Sequence, residues 1–593
     1  MTFGQWRDHS DSSVKIGQGS ASKLHAMTSF FLMLALSALG FAMYWLRYHD
    51  YILVGDEPAV ISESLNQSFI QWFSEGFSRY FVVYPEWFKP ITNFSRPIMN
   101  LLPYLNYLIF ERDFQYHYII FYILQFCGAI IISYFMRVAD VPTGPSLLFV
   151  ALFLFSPAFI NFGLVMIPYQ FDVVASIFAL AAFLTLWKGQ YYLTVIMLLL
   201  AVLTKETALF APIAAAITVF VWTRRPALAA LLFSPFVLWC ALRLATYGTI
   251  SGGTYAGAPG VWGAVTGLVK GIIVWPTGII PGSGGLLRLI AVEVVQPRTV
   301  VYAGMVLFNG ALWIYLIHSA WIIGKKYFAS EKAPYLDDRF RLVTGLFIWT
   351  LGALGVCVVL GLVECRYGAS VYAFLFLFLP VFLFGRWSRP LSTSTRWVSC
   401  SITLMLAIAC VWNAITFFAT DFVAFIAETN RQRALYNALL ALHSEGVTVY
   451  VVNAPGGMGS APKYLRTAWN VGSNVVFVNQ VLGCTDSTSP RGDGLDRKPG
   501  GVLEVHIPKC ASYKFSNADD SVLAAGVQGI LERSGVGTYH FTDGRIAGHW
   551  FNNLGVPKID FGQGLIIQFY DVNAPILAYN WNEGKYNSYH LEK

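Results

Sequence analysis

Long apolar runs separated by short polar turns dominate residues 27–418. A run of about 20 apolar residues predicts a membrane-spanning helix, and slightly shorter runs fit when polar anchors flank them. Eleven runs qualify: Met27–Trp45, Phe114–Met136, Ser146–Ile160, Asp172–Trp187, Tyr191–Leu203, Thr207–Trp222, Pro226–Ala245, Val300–Gly324, Leu342–Leu362, Ala369–Phe384 and Trp397–Phe418. The pattern predicts a polytopic α-helical membrane protein with about 11 transmembrane helices.

The pattern changes after about Thr420, where the chain becomes polar and rich in Gly and Asn. Short apolar runs rich in β-branched residues predict strands, and a helical period predicts one helix among them. The strands are Val447–Val452, Val475–Val478, Val502–Ile507 and Gly564–Tyr570, and the helix is Ala518–Arg533. We therefore divide the chain into a tail (1–26), a membrane domain (27–420) and a C-terminal soluble domain of mixed α/β type (421–593).

Composition supports a membrane protein, because 56% of the residues are hydrophobic and only 12% are charged, about half the share in soluble domains. Basic residues recur at alternate turns, which predicts that these turns, together with the N-terminus, are cytoplasmic. These residues are Arg137, Lys188, Arg224, Arg225, Lys325, Lys326, Arg341, Arg386, Arg389 and Arg396. The C-terminal domain then lies outside. The net charge of +7 is spread over the turns, so no nucleic-acid partner is expected.

Two long segments fall on the predicted outer face, His49–Asp113 and Tyr247–Arg298. Within the first, Phe69–Tyr84 mixes aromatic and charged residues, as does a helix that lies flat at the membrane interface. Within the second, Leu268–Ile280 surrounds Pro276 and is too broken to span the membrane. It either lies at the interface or re-enters the bilayer.

Three charged clusters lie at predicted outer helix ends: Asp56 with Glu57, Lys205 with Glu206, and Glu364 with Arg366. Ionisable residues close to the bilayer core usually mark a functional site. The alternative is a solvated loop at the first cluster, with helix caps and local ion pairs (Lys205 with Glu206, Glu364 with Arg366) at the others. Because acids and bases gather on one face, the clusters favour a shared polar cavity near the membrane surface.

Two further residues of the first outer segment have relevant chemistry. The planar guanidinium of Arg96 matches the geometry of a phosphate. His117, at the start of the second span, could act as an acid, a base or a phosphate donor, although a single His at a helix entrance often has a structural role.

These motifs, in this order, resemble the GT-C superfamily of polytopic glycosyltransferases, which take a sugar from a polyprenyl-phosphate carrier on the outer face of the membrane. The resemblance is carried by GDEP after the first span, SRPIMNLLPYLNYLIF leading to a YH-containing helix, LLAVLTKETALFAP and ECRYGA. It covers roughly residues 27–420. The C-terminal domain resembles no particular family.

The resemblance implies roles for individual residues. Asp56 matches the catalytic acidic residue, the general base for the acceptor hydroxyl, and Glu57 matches a second acidic position that orients the acceptor or holds a cation. Lys205 and Arg366 match the basic residues that meet the lipid-linked phosphate, and Arg96 is a weaker match. The neighbouring candidates for substrate binding are His117, Glu206, Glu364 and Tyr367.

The implied reaction agrees with elementary chemistry. A polyprenyl phosphate leaves as an anion, so Lys and Arg stabilise its departing charge while a carboxylate takes the acceptor proton. A single displacement inverts the anomeric centre. The sugar, a pentose such as arabinofuranose or a hexose such as mannose, stays open, as does the acceptor, which is a protein, a glycan or a lipid. No cofactor is certain, and a divalent cation (Mg or Mn) at Asp56 and Glu57 is a candidate.

Two other functions remain as alternatives: a non-enzymatic lipid or polysaccharide flippase or transporter, and a membrane ligase or polymerase that uses a lipid diphosphate. A coupled transporter normally needs charged residues at mid-depth, and the predicted spans two to eleven have almost none, with Asp172 near a span end as the exception. The expected location is a bacterial inner membrane, with the C-terminal domain in the periplasm. That oxidising compartment predicts a disulfide between Cys484 and Cys510, against the alternative of two buried thiols.

Overall fold

The fold is described from a computed structural model of the 593-residue chain. It describes residues 97–111, 113, 116–156, 167–247, 303–318, 338–359, 368–385, 393–419, 421–442, 575–580 and 582–589, together with the strands named below. It also describes single residues at 31–42, 70 and 265–275.

Twelve helices can be followed within these ranges. They are α1 (Pro97–Phe110), α2 (Ile119–Val138), α3 (Thr143–Leu154), α4 (Ile167–Trp187), α5 (Tyr191–Thr204), α6 (Phe210–Thr223), α7 (Pro226–Tyr247), α8 (Ala303–His318), α9 (Asp338–Val359), α10 (Ala369–Phe384), α11 (Thr393–Ala419) and α12 (Asp421–Ala441). A 3₁₀ turn, Glu206–Leu209, joins α5 to α6.

The helices indicate a membrane-embedded protein. Four segments among the described residues are long and apolar enough to cross a membrane: Ile119–Val138, Glu206–Thr223, Pro226–Thr246 and Phe340–Cys357. Six shorter apolar helices accompany them. Many large apolar side chains on the bundle surface are exposed, as expected for helices that face lipid.

Helix α10 is the centre of the bundle. Every residue of α10 except Phe382 and Phe384 is buried, and the helix is apolar on all sides. It contacts α2, α3, α4 and α9. Aromatic rings fill the space beside it: Phe374 lies 5.1 Å from Trp349 of α9, 5.7 Å from Phe210 of α6 and 6.2 Å from Phe183 of α4.

Successive helices run in opposite directions, so the turns between them lie at two distinct ends of the bundle. At one end Lys188 lies 5.1 Å from the Tyr134 ring centroid, and Trp187 lies 5.7 Å from Trp222. This end also carries Arg137 and Arg224, and we call it the basic end. The opposite end, where Lys205 joins α5 to the 3₁₀ turn, we call the hairpin end.

The described C-terminal residues form three small sheets with eleven strands in all. The strands are β1 (Thr448–Val452), β2 (Asn474–Phe477), β3 (Leu495–Lys498), β4 (Val502–Pro508), β5 (Ala511–Tyr513), β6 (Tyr539–Phe541), β7 (Ala547–Phe551), β8 (Val556–Asp560), β9 (Gly564–Phe569), β10 (Ile576–Asn580) and β11 (Lys585–Tyr589). The first sheet has the order β11-β10-β1-β2, with β1 parallel to both β10 and β2. The others are antiparallel, with orders β3-β4-β9-β6 and β5-β8-β7.

Helix α12 connects the bundle to the first sheet. It contacts both α11 and β11, and its buried Leu435 and Leu439 belong to the same apolar cluster as Val449 and Val451 of β1. The sequence pattern predicted a soluble domain from about Thr420 but did not predict this helix.

Predicted and observed helix boundaries differ mainly at their ends. Ala369–Phe384 coincides with α10, whereas Phe114–Met136, Ser146–Ile160 and Val300–Gly324 correspond to the displaced or shorter helices α2, α3 and α8. The four predicted strands coincide with β1, β2, β4 and β9 to within one residue. The interfacial helix Phe69–Tyr84 (apart from helical Ile70) and the helix Ala518–Arg533 lie outside the described residues.

One residue of the broken segment around Pro276 lies inside the bundle. Trp275 is fully buried, and its backbone carbonyl accepts a 2.7 Å hydrogen bond from Nε1 of Trp313. Trp313 is ten residues into α8, so this contact lies about 15 Å along that helix. The position of the segment relative to the membrane, interfacial or re-entrant, stays a prediction.

The packing of α9 against α4 and α6 gives a stability prediction. A Cβ on Gly345 would lie 2.6 Å from a ring carbon of Trp222 and 3.2 Å from Phe183, whereas a Cβ on Gly355 of the same helix would meet nothing within 4 Å. We expect Gly345→Ala to destabilise the protein by about 1–3 kcal/mol through overpacking. Gly355→Ala should be neutral or slightly stabilising, because Ala favours the helix. Thermal unfolding of both variants in detergent tests this, and equal melting temperatures would contradict the packing described here.

Candidate functional site

A buried group of charged and hydroxyl side chains lies at the hairpin end. Its centre is Asp172, the sixth residue of α4, whose carboxylate oxygen Oδ2 lies 3.2 Å from Nζ of Lys205. The Thr207 hydroxyl donates a 2.8 Å hydrogen bond to the other oxygen, Oδ1. The side chains of Lys205 and Asp172 are 7% and 2% exposed, so the ion pair is shielded from solvent.

The local sequence explains why Lys205 reaches Asp172. Lys205 is extended, with φ −155° and ψ 138°, and it ends α5 before the 3₁₀ turn reverses the chain. Three small residues, Ala175 of α4, Ala201 of α5 and Ala208 of the turn, pack against one another. Because alanine side chains allow close backbone approach, α4 and the hairpin come near enough for the ion pair to form.

A second set of hydrogen bonds joins the group to the central helix. Ser176 donates to the backbone carbonyl of Asp172 at 2.6 Å, and its oxygen lies 2.9 Å from the Ser370 hydroxyl at the start of α10. The network therefore links α4, the hairpin and α10.

The hairpin is short for a membrane crossing. Helix α5 has 14 residues, so it rises about 21 Å from the basic end, compared with about 30 Å for the hydrocarbon core. The sequence predicted Lys205 near the membrane surface, which stays a prediction, and the structure shows that its side chain is buried in the bundle.

The partner of Lys205 also differs from the local alternative. The sequence offered Glu206 as that partner, but the ion pair is made with Asp172. Glu206, which begins the 3₁₀ turn, is itself only 6% exposed. The hairpin thus carries a second buried acid, Glu206, directly after the buried lysine of the ion pair.

A second buried cation lies at the same end. Arg243 of α7 is 3% exposed, and its guanidinium lies 5.1 Å from the Trp239 ring centroid. Trp239 packs against Val202 and Leu209, which precede and follow Lys205. Arg243 was not among the site residues predicted from the sequence, although one arginine in an otherwise apolar stretch is the signal that could have identified it.

His117 lies between α1 and α2 and is fully buried. Its Nε2 is 3.0 Å from the backbone carbonyl of Glu111, a residue with positive φ (48°), so the imidazole fastens this turn. Burial lowers the pKa of His117 to about 4, against a smaller raising effect of the Glu111 hydrogen bond and the Asp113 charge. The imidazole is therefore neutral at pH 7, and its described contact stabilises the turn, while a role as an acid, a base or a phosphate donor stays a prediction.

The other predicted site residues lie outside the described residues. These are Asp56, Glu57, Arg96, Glu364, Arg366 and Tyr367, together with the predicted disulfide partners Cys484 and Cys510. Their roles stay predictions. Among the described residues, no group of three or more His, Cys, Asp or Glu could hold a metal ion.

No model of a known protein family matches the chain, and no curated protein matches it significantly. A function must therefore be argued from the motifs and from the chemistry of the hairpin end.

The buried ion pair gives a prediction of stability. Removing one partner takes away a buried charge–charge contact, so Asp172→Ala and Lys205→Met should each destabilise the protein, by up to about 3–5 kcal/mol. The double variant should lose less stability than the sum of the losses in the two single variants. Lys585→Met is the control, because Lys585 and Glu583 form an exposed pair (63% and 49%) whose loss should cost at most about 1 kcal/mol. Strict additivity in a double-mutant cycle, measured by unfolding in detergent, would contradict the ion pair.

The burial of His117 predicts acid sensitivity. Its ordinary pKa of 6.5 falls to about 4 in the folded protein, so the unfolded chain binds a proton more readily between these values. The resulting stability is complete above pH 6.5 and is lost as the pH falls to 4, by about 3 kcal/mol. The difference in unfolding free energy between wild type and His117→Gln, followed from pH 7 to 4, should shrink by this amount. A difference in unfolding free energy that stays constant from pH 7 to 4 would refute the lowered pKa of His117.

Proposed function

We propose that this protein is an inverting glycosyltransferase that moves a sugar from a polyprenyl-phosphate carrier to an acceptor hydroxyl on the outer face of a membrane. The observation that carries the proposal is the buried group that Lys205 and Thr207 of the LTKET hairpin form with Asp172 of α4. This is one of the four motifs behind the resemblance to the GT-C superfamily. A shielded cation at a helix end is suited to an anionic leaving group, because low dielectric strengthens its interaction with the developing charge.

The distribution of charge supports a transferase over a coupled transporter. In the described apolar helices, acids and bases lie near the ends: Asp172 and Arg243 toward the hairpin end, and Arg137 and Arg341 toward the basic end. A proton- or ion-coupled pathway needs such groups near the middle of the membrane. The described part of the bundle offers a charged site at one face instead.

The proposed topology follows from the basic end. Basic residues favour the cytoplasmic side, so Lys205 faces the periplasm of a bacterial inner membrane and the strand-rich domain after α12 lies there too. In this arrangement Asp56 takes the acceptor proton, with Glu57 beside it, while Lys205 and Arg366 bind the donor phosphate. The sugar is a pentose such as arabinofuranose or a hexose such as mannose, and the acceptor is a protein, a glycan or a lipid.

The proposal is tested with purified protein in liposomes that contain polyprenyl-phosphate sugars. We expect transfer with inversion, detected by NMR of the product, and a loss of about 10²–10⁴-fold in Asp56→Asn, as for removal of a general base. Asp113→Asn is the matched control, because Asp113 is an exposed acid in the same outer segment. Near wild-type transfer by Asp56→Asn would overturn the assigned mechanism, and flipping of the carrier without transfer would favour the flippase alternative.

A further inference from the structure

A carboxylate such as that of Asp172 is unexpected in a site that binds an anion. A lipid phosphate and a carboxylate repel each other, and Asp172 also neutralises part of the Lys205 charge. The carboxylate must therefore contribute something other than direct attraction for the donor. Its contacts within the described residues indicate what that is.

Both carboxylate oxygens have defined partners. Oδ2 faces the Lys205 ammonium at 3.2 Å, and Oδ1 accepts the Thr207 hydrogen bond at 2.8 Å. Because the Thr207 hydrogen bond fixes Oδ1, it also fixes the orientation in which Oδ2 faces Lys205. The backbone of Asp172 is fastened as well, because Ser176 bonds to its carbonyl and lies beside Ser370.

Lysine needs such a support more than arginine does. Its ammonium is a point charge on a flexible four-carbon stem, without the planar fork that fixes an arginine against a phosphate. Electrostatic stabilisation of a leaving group depends on cations held in place before the reaction, since a displacement of about 1 Å can cost about 10²-fold. A rigid counter-ion supplies this position.

We infer that Asp172 is a positioning residue that holds the Lys205 ammonium at the donor phosphate, and that Thr207 orients the Asp172 carboxylate for this task. The inference rests on the proposed function, and it adds two residues that the motif resemblance does not assign. Asp172 and Thr207 act through Lys205 and touch neither the sugar nor the acceptor.

The test compares Thr207→Val, Thr207→Ser, Asp172→Asn, Lys205→Gln and the double variant Asp172→Asn/Lys205→Gln in the reconstituted transfer assay. Thr207→Val removes the hydroxyl with little change of shape, and Thr207→Ser restores it. Thr218→Val is the matched control, because Thr218 is equally buried, lies in α6 and is 11 residues further along the chain. Rates are normalised to the folded fraction, and the binding of sugar-free polyprenyl phosphate is measured alongside.

We expect Thr207→Val to lower kcat/KM for the donor about tenfold, the typical effect of losing a hydrogen bond to a charged group. Asp172→Asn and Lys205→Gln should each lower it about 100-fold, with the acceptor KM unchanged. Thr207→Ser and Thr218→Val should stay near wild type. The double variant should be no worse than Lys205→Gln alone, because residues that act as one unit are not additive.

Two results would overturn the inference while leaving the proposed function intact. One is transfer by Thr207→Val and Asp172→Asn at the wild-type rate per folded molecule. The other is a double variant whose loss is the product of the two single losses. If the wild-type protein neither binds polyprenyl phosphate nor transfers sugar from it, the proposed function fails, and the inference fails with it.

Discussion

The ion pair between Lys205 and Asp172 is the constraint on which the hairpin end depends. A buried charge without a partner is costly enough to unfold a marginally stable protein, so the pair favours a packing in which α4 and the α5–α6 hairpin lie together. Thr207 bonds to the second carboxylate oxygen, and Ser176 bonds to the backbone carbonyl of Asp172 and lies beside Ser370. Few arrangements of three helices meet all of these demands, so the network selects one packing from the many that apolar contacts alone would allow.

Much of the fold follows from local sequence. The end of α10 could be predicted because Gly385 follows an uninterrupted apolar run, and strands such as β4 because β-branched residues alternate in them. Helix α12 was missed because its polar side chains, such as Arg431 and Arg433, obscure its apolar period, and its packing against β11 involves residues far away in the chain. Strand β11, with its exposed Lys585, forms by pairing with β10 and lacks an apolar pattern of its own.

The site was only half predictable for a related reason. The hairpin motif marked Lys205, but its partner lies 33 residues earlier, and nothing local distinguishes Asp172 from an acid that ends a span in water. The pairing depends on three alanines that pack together only in the folded bundle. Short-range rules therefore favoured Glu206, the neighbour in sequence, over Asp172, the neighbour in space.

The burial of α10 also constrains how the protein is made. A helix enclosed by α2, α3, α4 and α9 emerges from the ribosome after all of them, so the earlier helices cannot complete their packing when they are inserted. Until α10 arrives, the surfaces of these helices that contact it in the folded protein lack that partner. The Ser176–Ser370 contact is among the last to form, since Ser370 enters with α10. Final closure of the bundle is thus a late event, set by the arrival of one apolar helix.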